Sequence, residues 1–557
     1  MKLTVNGKLI LLPQDAKVTI ERNSPYSNDN AGTFSFPFPV PNLPNQLDLQ
    51  FPGKLSRAGN IPDQYFILEE TGIQIFRGIV AYDQNIYDQI GMILQSGNAE
   101  FFALVKDKYL TDIDYGSEWW EPGANSAGYT ISPDITDKLA AWDIANTTDN
   151  GKYVATPFWI KDSVGGDLNV NQQDWIGPMN TKLGLFYTGG FPGIARGIFC
   201  LQFRVSFILQ TIFTSQGYTI IENALASSQF YKAIMFGKII NIGVTLMDRL
   251  NIIWDKLEYS VLMPDILITD FLTAIKTMFG LVYEINEIKR EVHIKFLKDL
   301  FLPANLDPLV IPELLGWIHE EVKSGTGMKL RYTGQDNDLD TKTDFTDNWF
   351  VTAPPLPAPA MENSIYLVMS TGRYYCAVKN SSGSLAWQEI GRLEESGIGD
   401  LSKSIDINVK VPAQKTYVTH SINLEAPSIP SIIRDDVNYL TNVPLIITLY
   451  HGRKTMAGLV NFPFATADEF SQDVTGAIDL EMSLKPHYLM VNVYQDYMAW
   501  KSYRARGFTK YVQLSLKDLV ALQWGKRYMI NGIAIILDKV TYDLPYTGQV
   551  QIDGFTA

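Results

Sequence analysis

Residues 32–42, GTFSFPFPVPN, constrain the fold most sharply because they combine the pattern of a β-strand with two internal prolines. Alternating apolar side chains are typical of a strand with one buried face. Pro37 and Pro39 lack the backbone N–H that a second neighbouring strand would need, which confines such a strand to a sheet edge. We therefore predict that Phe34, Phe36 and Phe38 pack inward near an interface, while the prolines block uncontrolled edge pairing.

An irregular extended segment laid over the core, with no role in assembly, is the alternative interpretation of this stretch. The two interpretations differ in one measurable respect. If the prolines protect a strand edge, replacing both should increase off-pathway association of the free subunit, whereas unchanged solubility would remove that explanation.

The chain is too long for a single hydrophobic core. It has 557 residues, which corresponds to three or four domains. Hydrophobic residues make up 46% and charged residues 19%, values typical of a folded protein. The aromatic content of 12% favours β-rich structure or extensive contact surfaces.

Charge and cysteine content exclude several classes of protein. A formal net charge of −14 argues against a dedicated nucleic-acid binder, because phosphate affinity comes from clustered Lys and Arg. Cys200 and Cys376 are too few and too far apart for a disulfide framework, so we expect folding in a reducing cytoplasm. The N-terminus lacks the features of a signal peptide, and no apolar window approaches the length of a membrane span.

Changes in composition along the chain suggest five regions. We predict an N-terminal β-barrel-like domain at 1–115, a loop-rich insertion at 116–196, an α+β helix-hairpin region at 197–332, an acidic and Pro-rich linker at 333–362, and a C-terminal β-rich region with a second barrel-like domain at 363–557.

Two helices are predicted from apolar periodicity in the third region. The first follows Phe203 and presents Val205, Ile208, Leu209, Ile212 and Phe213 on one face, with Gly217 just past its end. The second begins near a cap at Thr269 or Asp270 and stops at Gly280. Two alternating strands follow it, around 281–285 and 291–297. The fold class predicted is multi-domain, β-rich plus α+β.

No catalytic motif or metal-ligand spacing is present in the sequence. The five histidines show no zinc pattern, and there is no GxSxG elbow, Walker loop or GxGxxG. Glu118 and Glu121 flank Trp119 and Trp120, a combination typical of sugar-cleaving sites but also of a tryptophan-anchored loop or interface. We predict no enzyme activity and no cofactor.

A short acidic run imitates part of a calcium loop. Asp336, Asp338 and Asp340 occupy its first, third and fifth positions, but Thr341 replaces the required Gly and no Glu stands at the twelfth. We interpret the run as an acidic linker and leave loose calcium binding open. The HEE sequence at 319–321 is interpreted as a solvated face.

Several segments together resemble tail proteins encoded by phages and prophages of Bacteroides-like bacteria. They are IERNSP…GTFSFPFPVPNLPN (20–45), IFRGIV (75–80), SFILQTIFTSQGYTI (206–220), PDILITDFLTAIKTMFGLVYEI (264–285), LYHGR…FPFAT (449–466) and LSLKDLVALQWGKRYMINGIAIILDKVTYDL (514–544). Each segment is a loose pattern of apolar and turn residues, so the resemblance rests on the order in which the segments follow one another. It covers the chain apart from the insertion and the linker.

This group is similar in layout to the central hub of phage baseplates and tail tips. The resemblance implies a ring, usually of three subunits, that closes the end of the tail tube. It also implies tail-tube-like β-barrel domains joined by helix-hairpin modules, with a spike or fibre beneath. The expected place is the virion tail, assembled in the bacterial cytoplasm, with tube, adaptor, spike or fibre proteins as neighbours and DNA passing without specific binding.

Two rival functions stay open at this stage. One is a distal-tail adaptor or portal-proximal ring of the same particle, and the other is a carbohydrate-binding receptor protein. The residues predicted to contact partners are Phe34, Phe36, Phe38, Trp119, Trp120 and Trp500. An acidic lumen that repels phosphates is a further expectation from the net charge.

Overall fold

The computed structural model describes most of the N-terminal, central and C-terminal parts of the chain. The described residues are 1–26, 32–45, 47–49, 64–86, 89–119, 151–154, 156, 158–162, 175–176, 197–238, 240–242, 256–286, 288–312, 319–321, 329–332, 365–368, 373–379, 384–392, 404–407, 409, 413–418, 425–434, 444–456, 459–466, 484, 489, 493–494, 496–497, 500 and 506–557. The acidic linker and Asp336, Asp338 and Asp340 lie outside them.

The N-terminal part is built of short strands that alternate buried and exposed side chains. Its elements are β1 (Lys2–Val5), β2 (Lys8–Ile10), β3 (Val18–Asn23), β4 (Thr33–Ser35), β5 (Phe38–Pro41), α1 (Asn42–Asn45), β6 (Tyr65–Glu70), β7 (Ile73–Ile86), β8 (Gln89–Ser96), α2 (Asn98–Val105) and β9 (Ser117–Trp119). Asn6 and Gly7 both have positive φ and form the tight turn between β1 and β2.

The central part contains the two predicted helices. Its elements are β10 (Tyr153–Val154), β11 (Phe158–Asp162), β12 (Trp175–Ile176), β13 (Gly197–Phe199), β14 (Gln202–Arg204), α3 (Val205–Ser215), β15 (Thr219–Asn223), α4 (Ala224–Ser227), β16 (Ala233–Phe236), β17 (Ile240–Ile242), β18 (Lys256–Glu258), α5 (Tyr259–Leu262), α6 (Ile268–Phe279), β19 (Leu281–Asn286), β20 (Glu291–Phe296), β21 (Leu306–Val310), β22 (His319–Glu321) and β23 (Lys329–Tyr332).

Helix α3 buries the face predicted for it, and α6 also buries one apolar face. The five apolar residues predicted for α3 are all buried, and Gly217 adopts a φ of 77° after the helix ends. Gly280 ends α6 in the left-handed region, at a φ of 56°. The cap predicted at Thr269 or Asp270 is wrong, because α6 already begins at Ile268 and places Asp270 in its first turn, where the helix dipole favours an acid.

The C-terminal part is mostly strand. Its elements are β24 (Ile365–Val368), β25 (Arg373–Lys379), β26 (Leu385–Arg392), β27 (Ser404–Ile407), β28 (Ala413–Val418), β29 (Glu425–Arg434), β30 (Ile447–Met456), β31 (Leu459–Thr466), β32 (Gly507–Gln513), α7 (Leu516–Ala521), β33 (Arg527–Ile530), β34 (Ile533–Leu544) and β35 (Gln549–Thr556). The fold is therefore β-rich with a smaller helical share.

One sheet unites the two ends of the chain. Within the described residues it has 14 strands, in the order β2-β1-β6-β7-β8-β4-β3-β34-β35-β32-β22, with β5 beside β8 and with β33 and then β21 beside β34. The join is the antiparallel pair β3 and β34, which runs from Val18 opposite Leu544 to Asn23 opposite Lys539. Residues near the N-terminus thus share a core with the last strands.

A separate three-stranded sheet has the order β15-β20-β19. Strand β20 pairs in parallel with β15 and antiparallel with β19, and α6 lies against the hairpin through the Tyr283 hydroxyl, which donates to the Leu272 carbonyl. No helix within the described ranges has both the length and the apolar content needed to span a membrane. The five-region division of the chain stays a prediction.

Candidate assembly surface and internal junction

The proline-containing stretch forms two strands rather than one. Phe34 in β4 lies opposite Gln95, whereas Phe38 in β5 lies opposite Met92, so one extra residue interrupts the register against β8. A β-bulge of this kind reverses the side-chain alternation. As a result Phe38 is buried, Phe34 is half-buried and Phe36 is 46% exposed. The prediction that all three rings pack inward is therefore wrong for Phe36, whose ring meets Phe34 edge-on.

The prolines lie on the open side of β5. Among the described strands, β5 pairs only with β8. Successive residues of a strand direct their N–H groups to opposite edges, so Pro39 and Pro41 lack a donor on the same edge, and Pro37 directly precedes the strand. The donors toward β8 can come from Phe38 and Val40. The strand lies at an edge, as the prolines predict, and that edge offers carbonyl groups without matching N–H groups.

A single buried amide spans the gap between β5 and the first strand of the sheet. The Asn45 side chain donates to the carbonyl of Pro41 at 2.9 Å and of Leu11 at 3.0 Å, and accepts the Leu11 N–H at 2.9 Å. Leu11 directly follows β2, the terminal strand of the run β2-β1-β6-β7-β8-β5. We call this contact the seam. Asn45 supplies there the hydrogen bonds that another strand would otherwise make.

Four leucines beside the seam face solvent. Leu9 is 55% exposed, Leu11 54%, Leu43 76% and Leu47 73%. Leu9 and Leu11 lie two residues apart and so share one side of the chain, while Leu43 and Leu47 flank Asn45. We call these four residues the seam patch. A cluster of exposed leucines around a closed strand edge is typical of a surface that contacts another protein.

Inside the subunit, Arg22 connects β3 to the end of α7. Its side chain is buried and donates to the carbonyl oxygens of Leu519 at 2.8 Å and Leu522 at 3.5 Å, while the guanidinium lies 5.5 Å from the Trp524 ring centroid. A cation at the carbonyl end of a helix is favoured by the helix dipole. Arg22 therefore fixes the loop after α7 against the N-terminal strands.

Glu284 of β19 holds the next residues of the same loop. One carboxylate oxygen accepts the backbone N–H groups of Trp524 at 3.0 Å and Gly525 at 3.3 Å, and the other accepts from Lys295 at 2.8 Å. Burial and the nearby carboxylates of Glu284 and Asp299 raise the pKa of Tyr26 well above its ordinary value. We call Arg22, Glu284 and the loop 519–525 the junction, because three distant parts of the chain meet there.

A second polar contact joins α2 to the β19–β20 turn. Glu100 is 1% exposed and forms a short ion pair with Arg290, whose guanidinium lies over the rings of Tyr65 at 5.2 Å and Tyr218 at 5.4 Å. Burial raises the pKa of the Glu100 carboxyl, and the charge and hydrogen bond of Arg290 oppose that shift. The adjacent Asn98 amide donates to the Tyr283 carbonyl at 2.8 Å.

Of the three predicted tryptophan anchors, the structure describes the surroundings of Trp500. Trp500 is buried, packs its ring against Phe301 and Phe555, and donates its indole N–H to the Thr556 carbonyl at 2.7 Å. Its main contacts are thus within this chain. Trp119 ends β9, which pairs with β18, and Trp120 lies outside the described residues together with Glu121. Their roles at an interface stay predictions.

No group of three or more potential metal ligands occurs in the described part of the chain. Cys200 is buried, and burial raises the pKa of its thiol far above the ordinary value, which disfavours the reactive thiolate. The described site therefore consists of buried hydrogen-bonded contacts beside an exposed apolar surface.

No family model matches the chain, and no curated protein matches it. The solved structures with distant similarity include two tail proteins. The 43 kDa tail protein of prophage MuSo2 from Shewanella oneidensis has 8% identity and a TM-score of 0.32, with 100% of this chain and 97% of that chain covered. The tail protein from Neisseria meningitidis MC58 has 10% identity and a TM-score of 0.25, with coverage of 100% and 95%. TM-scores of this size do not establish a shared fold.

Proposed function

We propose that this protein is a non-enzymatic structural subunit of a phage tail, placed at the hub or tail tip, where copies form a ring that closes or extends the tail tube. The observation that carries the proposal is the seam. The strand edges at Leu11 and Pro41 are occupied by one buried amide, while four leucines beside them stay exposed. Such a surface favours contact through side chains and disfavours open-ended strand addition.

The internal contacts fit a subunit that bears load. Arg22 and Glu284 hold one loop from opposite sides, and Glu100 ties α2 to Arg290. Buried polar contacts of this type are directional and fix the relative placement of the parts they join. A subunit that transmits force in a tail needs such fixed placement.

The same proposal includes a barrel in the N-terminal part of the chain, a helix that braces it and the number of copies in the ring. The run β2-β1-β6-β7-β8-β5, brought together at Asn45, supports a small barrel in the N-terminal part. Helix α6 on the β19–β20 hairpin would brace that barrel against the C-terminal strands. We infer three copies per ring, an acidic lumen through which DNA passes unbound, and tube, adaptor, spike or fibre proteins as neighbours in the virion.

The direct test is the mass of the purified chain in solution, followed by negative-stain imaging. Closed rings of three subunits would support the hub, and rings of six or twelve would favour an adaptor or a portal-proximal ring. A monomer that binds glycans, and loses binding when Trp119 or Trp120 is changed to Ala, would favour the receptor function and contradict the ring.

A further inference from the structure

A second exposed apolar surface lies at a different end of the large sheet. Strand β21 pairs only with β33 among the described strands, and the alternation along it leaves Leu306, Pro308 and Val310 facing solvent. Leu306 is 44% exposed and Val310 61%. Leu302, 51% exposed, belongs to the same surface, because Arg527 lies opposite Leu306 and donates to the Leu302 carbonyl at 2.9 Å. We call Leu302, Leu306 and Val310 the β21 patch.

The two patches are distinct surfaces at terminal strands of one sheet. The seam patch lies at β2, the first strand of the 14-stranded order, and the β21 patch lies at the end of the branch β34-β33-β21. A contact between two different surfaces of identical subunits is heterologous, and it closes into a ring when the rotation between copies permits. A contact between two copies of the same surface would instead stop at a dimer.

Each patch carries charged residues of both signs, so pairs of opposite charge are available between the two patches. The seam patch carries Asp48 next to Leu47, and Lys526 and Arg527 lie beside the β21 patch. A second opposite pair is available between Lys8, which precedes Leu9, and Asp307, which follows Leu306. Apolar centres with matched polar rims are the usual composition of a specific interface.

We propose that the seam patch of one subunit binds the β21 patch of a second copy of this chain, and that this head-to-tail contact builds the ring. The inference rests on the proposed function and adds the identity of the two surfaces. Asn45 and the prolines at 37, 39 and 41 obstruct strand pairing at the seam, so the contact is made by side chains. The patches alone are smaller than a standard interface of about 800 Å² per partner, so the charged rims must contribute as well.

Two variants test the contact in the full-length chain. The seam variant carries Leu43→Lys and Leu47→Lys, and the strand variant carries Leu306→Lys and Val310→Lys. All four positions are exposed, so both variants should keep the wild-type melting temperature. Val261→Lys is the matched control, because Val261 is 61% exposed and belongs to neither patch. Solution mass is the measurement.

The expected results are specific to a head-to-tail contact. Each variant alone should be a monomer, because a ring needs both patches on every subunit. A mixture of the two variants should form particles of two chains and no larger, since one intact contact joins an unaltered seam patch to an unaltered β21 patch. The control should assemble as the wild type does.

Other outcomes overturn the proposal. Variants that assemble normally, or a mixture that stays monomeric, would contradict the proposed contact. If the wild type is oligomeric in the same experiment, the proposed ring still stands. A wild-type chain that is monomeric at every concentration would contradict the ring and the contact together. These results separate failure of the inference from failure of the proposed function.

Discussion

The junction and the seam patch reverse the usual distribution of polar and apolar groups. At the junction, charged side chains are buried where parts of one chain meet, with Arg22 and Glu284 on either side of the same loop. At the seam patch, leucines face solvent where the sheet ends. The contacts within the subunit are therefore directional and fixed, whereas the surface that we propose for a partner is apolar.

The largest effect on stability should come from removing an aromatic side chain that is buried inside the subunit. Trp500→Ala should lower the free energy of unfolding by about 3–5 kcal/mol, because it empties a buried site lined by Phe301 and Phe555. Phe36→Ala is the comparison and should cost less than about 1 kcal/mol, since Phe36 is 46% exposed. Urea unfolding measures both. Equal losses would contradict the assignment of Trp500 to the interior.

The next effect should come from the junction. Glu284→Ala removes the acceptor for two buried N–H groups and leaves Lys295 without its partner, so we expect a loss of about 3 kcal/mol. Glu291→Ala on the same hairpin should change stability by about 0.5 kcal/mol or less. Equal shifts of the urea midpoint in the two variants would show that the junction contributes little to the free energy of unfolding.

Replacing the amide at the seam should have a moderate effect on stability. Asn45→Ala leaves the Leu11 N–H and the Pro41 carbonyl without their partner, at a cost of about 2 kcal/mol. Hydrogen exchange at the Leu11 amide should accelerate more than at other amides of the N-terminal strands. Gln14→Ala, at an exposed position nearby, is the control. Unchanged protection at Leu11 would mean that Asn45 does not close the seam.

Restoring donors to β5 should change association more than stability. Pro37→Thr with Pro39→Thr returns two N–H groups to the open edge, so the free subunit should form more off-pathway oligomers in light scattering. Pro13→Thr, outside any strand, should have no such effect. Equal scattering from both would remove the protective role of the prolines.

The smallest effect is the pH dependence of folding stability that Glu100 causes. Burial raises the pKa of Glu100 above its ordinary 4.5, so the folded state binds this proton more tightly than the unfolded state does. The contribution of Glu100 to stability is therefore fully present below the unfolded pKa and falls as pH rises through the folded one. The stability of the wild type relative to Glu100→Gln should decrease over that range. An increase would contradict the dominance of burial over the Arg290 contact.

The sequence predicts elements better than it predicts contacts. Helices α3 and α6 and the two strands after α6 follow from apolar periodicity and from glycines at 217 and 280, because these signals are local. The edge position of β5 follows from its prolines. The bulge that exposes Phe36 does not, because it depends on the register against β8.

The junction could have been suspected only in part. Arg22 occupies the buried phase of a strand after Val18 and Ile20, and Glu284 interrupts an apolar strand, so both stand out as polar residues at core positions. Their shared partner, the loop 519–525, lies more than 200 residues away from either, and no local signal connects them. Asn45 carries no distinguishing pattern at all.

The central claim is that the apolar ends of the sheet join copies of the chain while the polar contacts hold each copy together. Native mass spectrometry of the purified 62.6 kDa chain, over a range of concentrations, tests it most directly. We expect a closed assembly of three chains that does not grow further as concentration rises. A chain that stays monomeric throughout, or one that grows without limit, would contradict it.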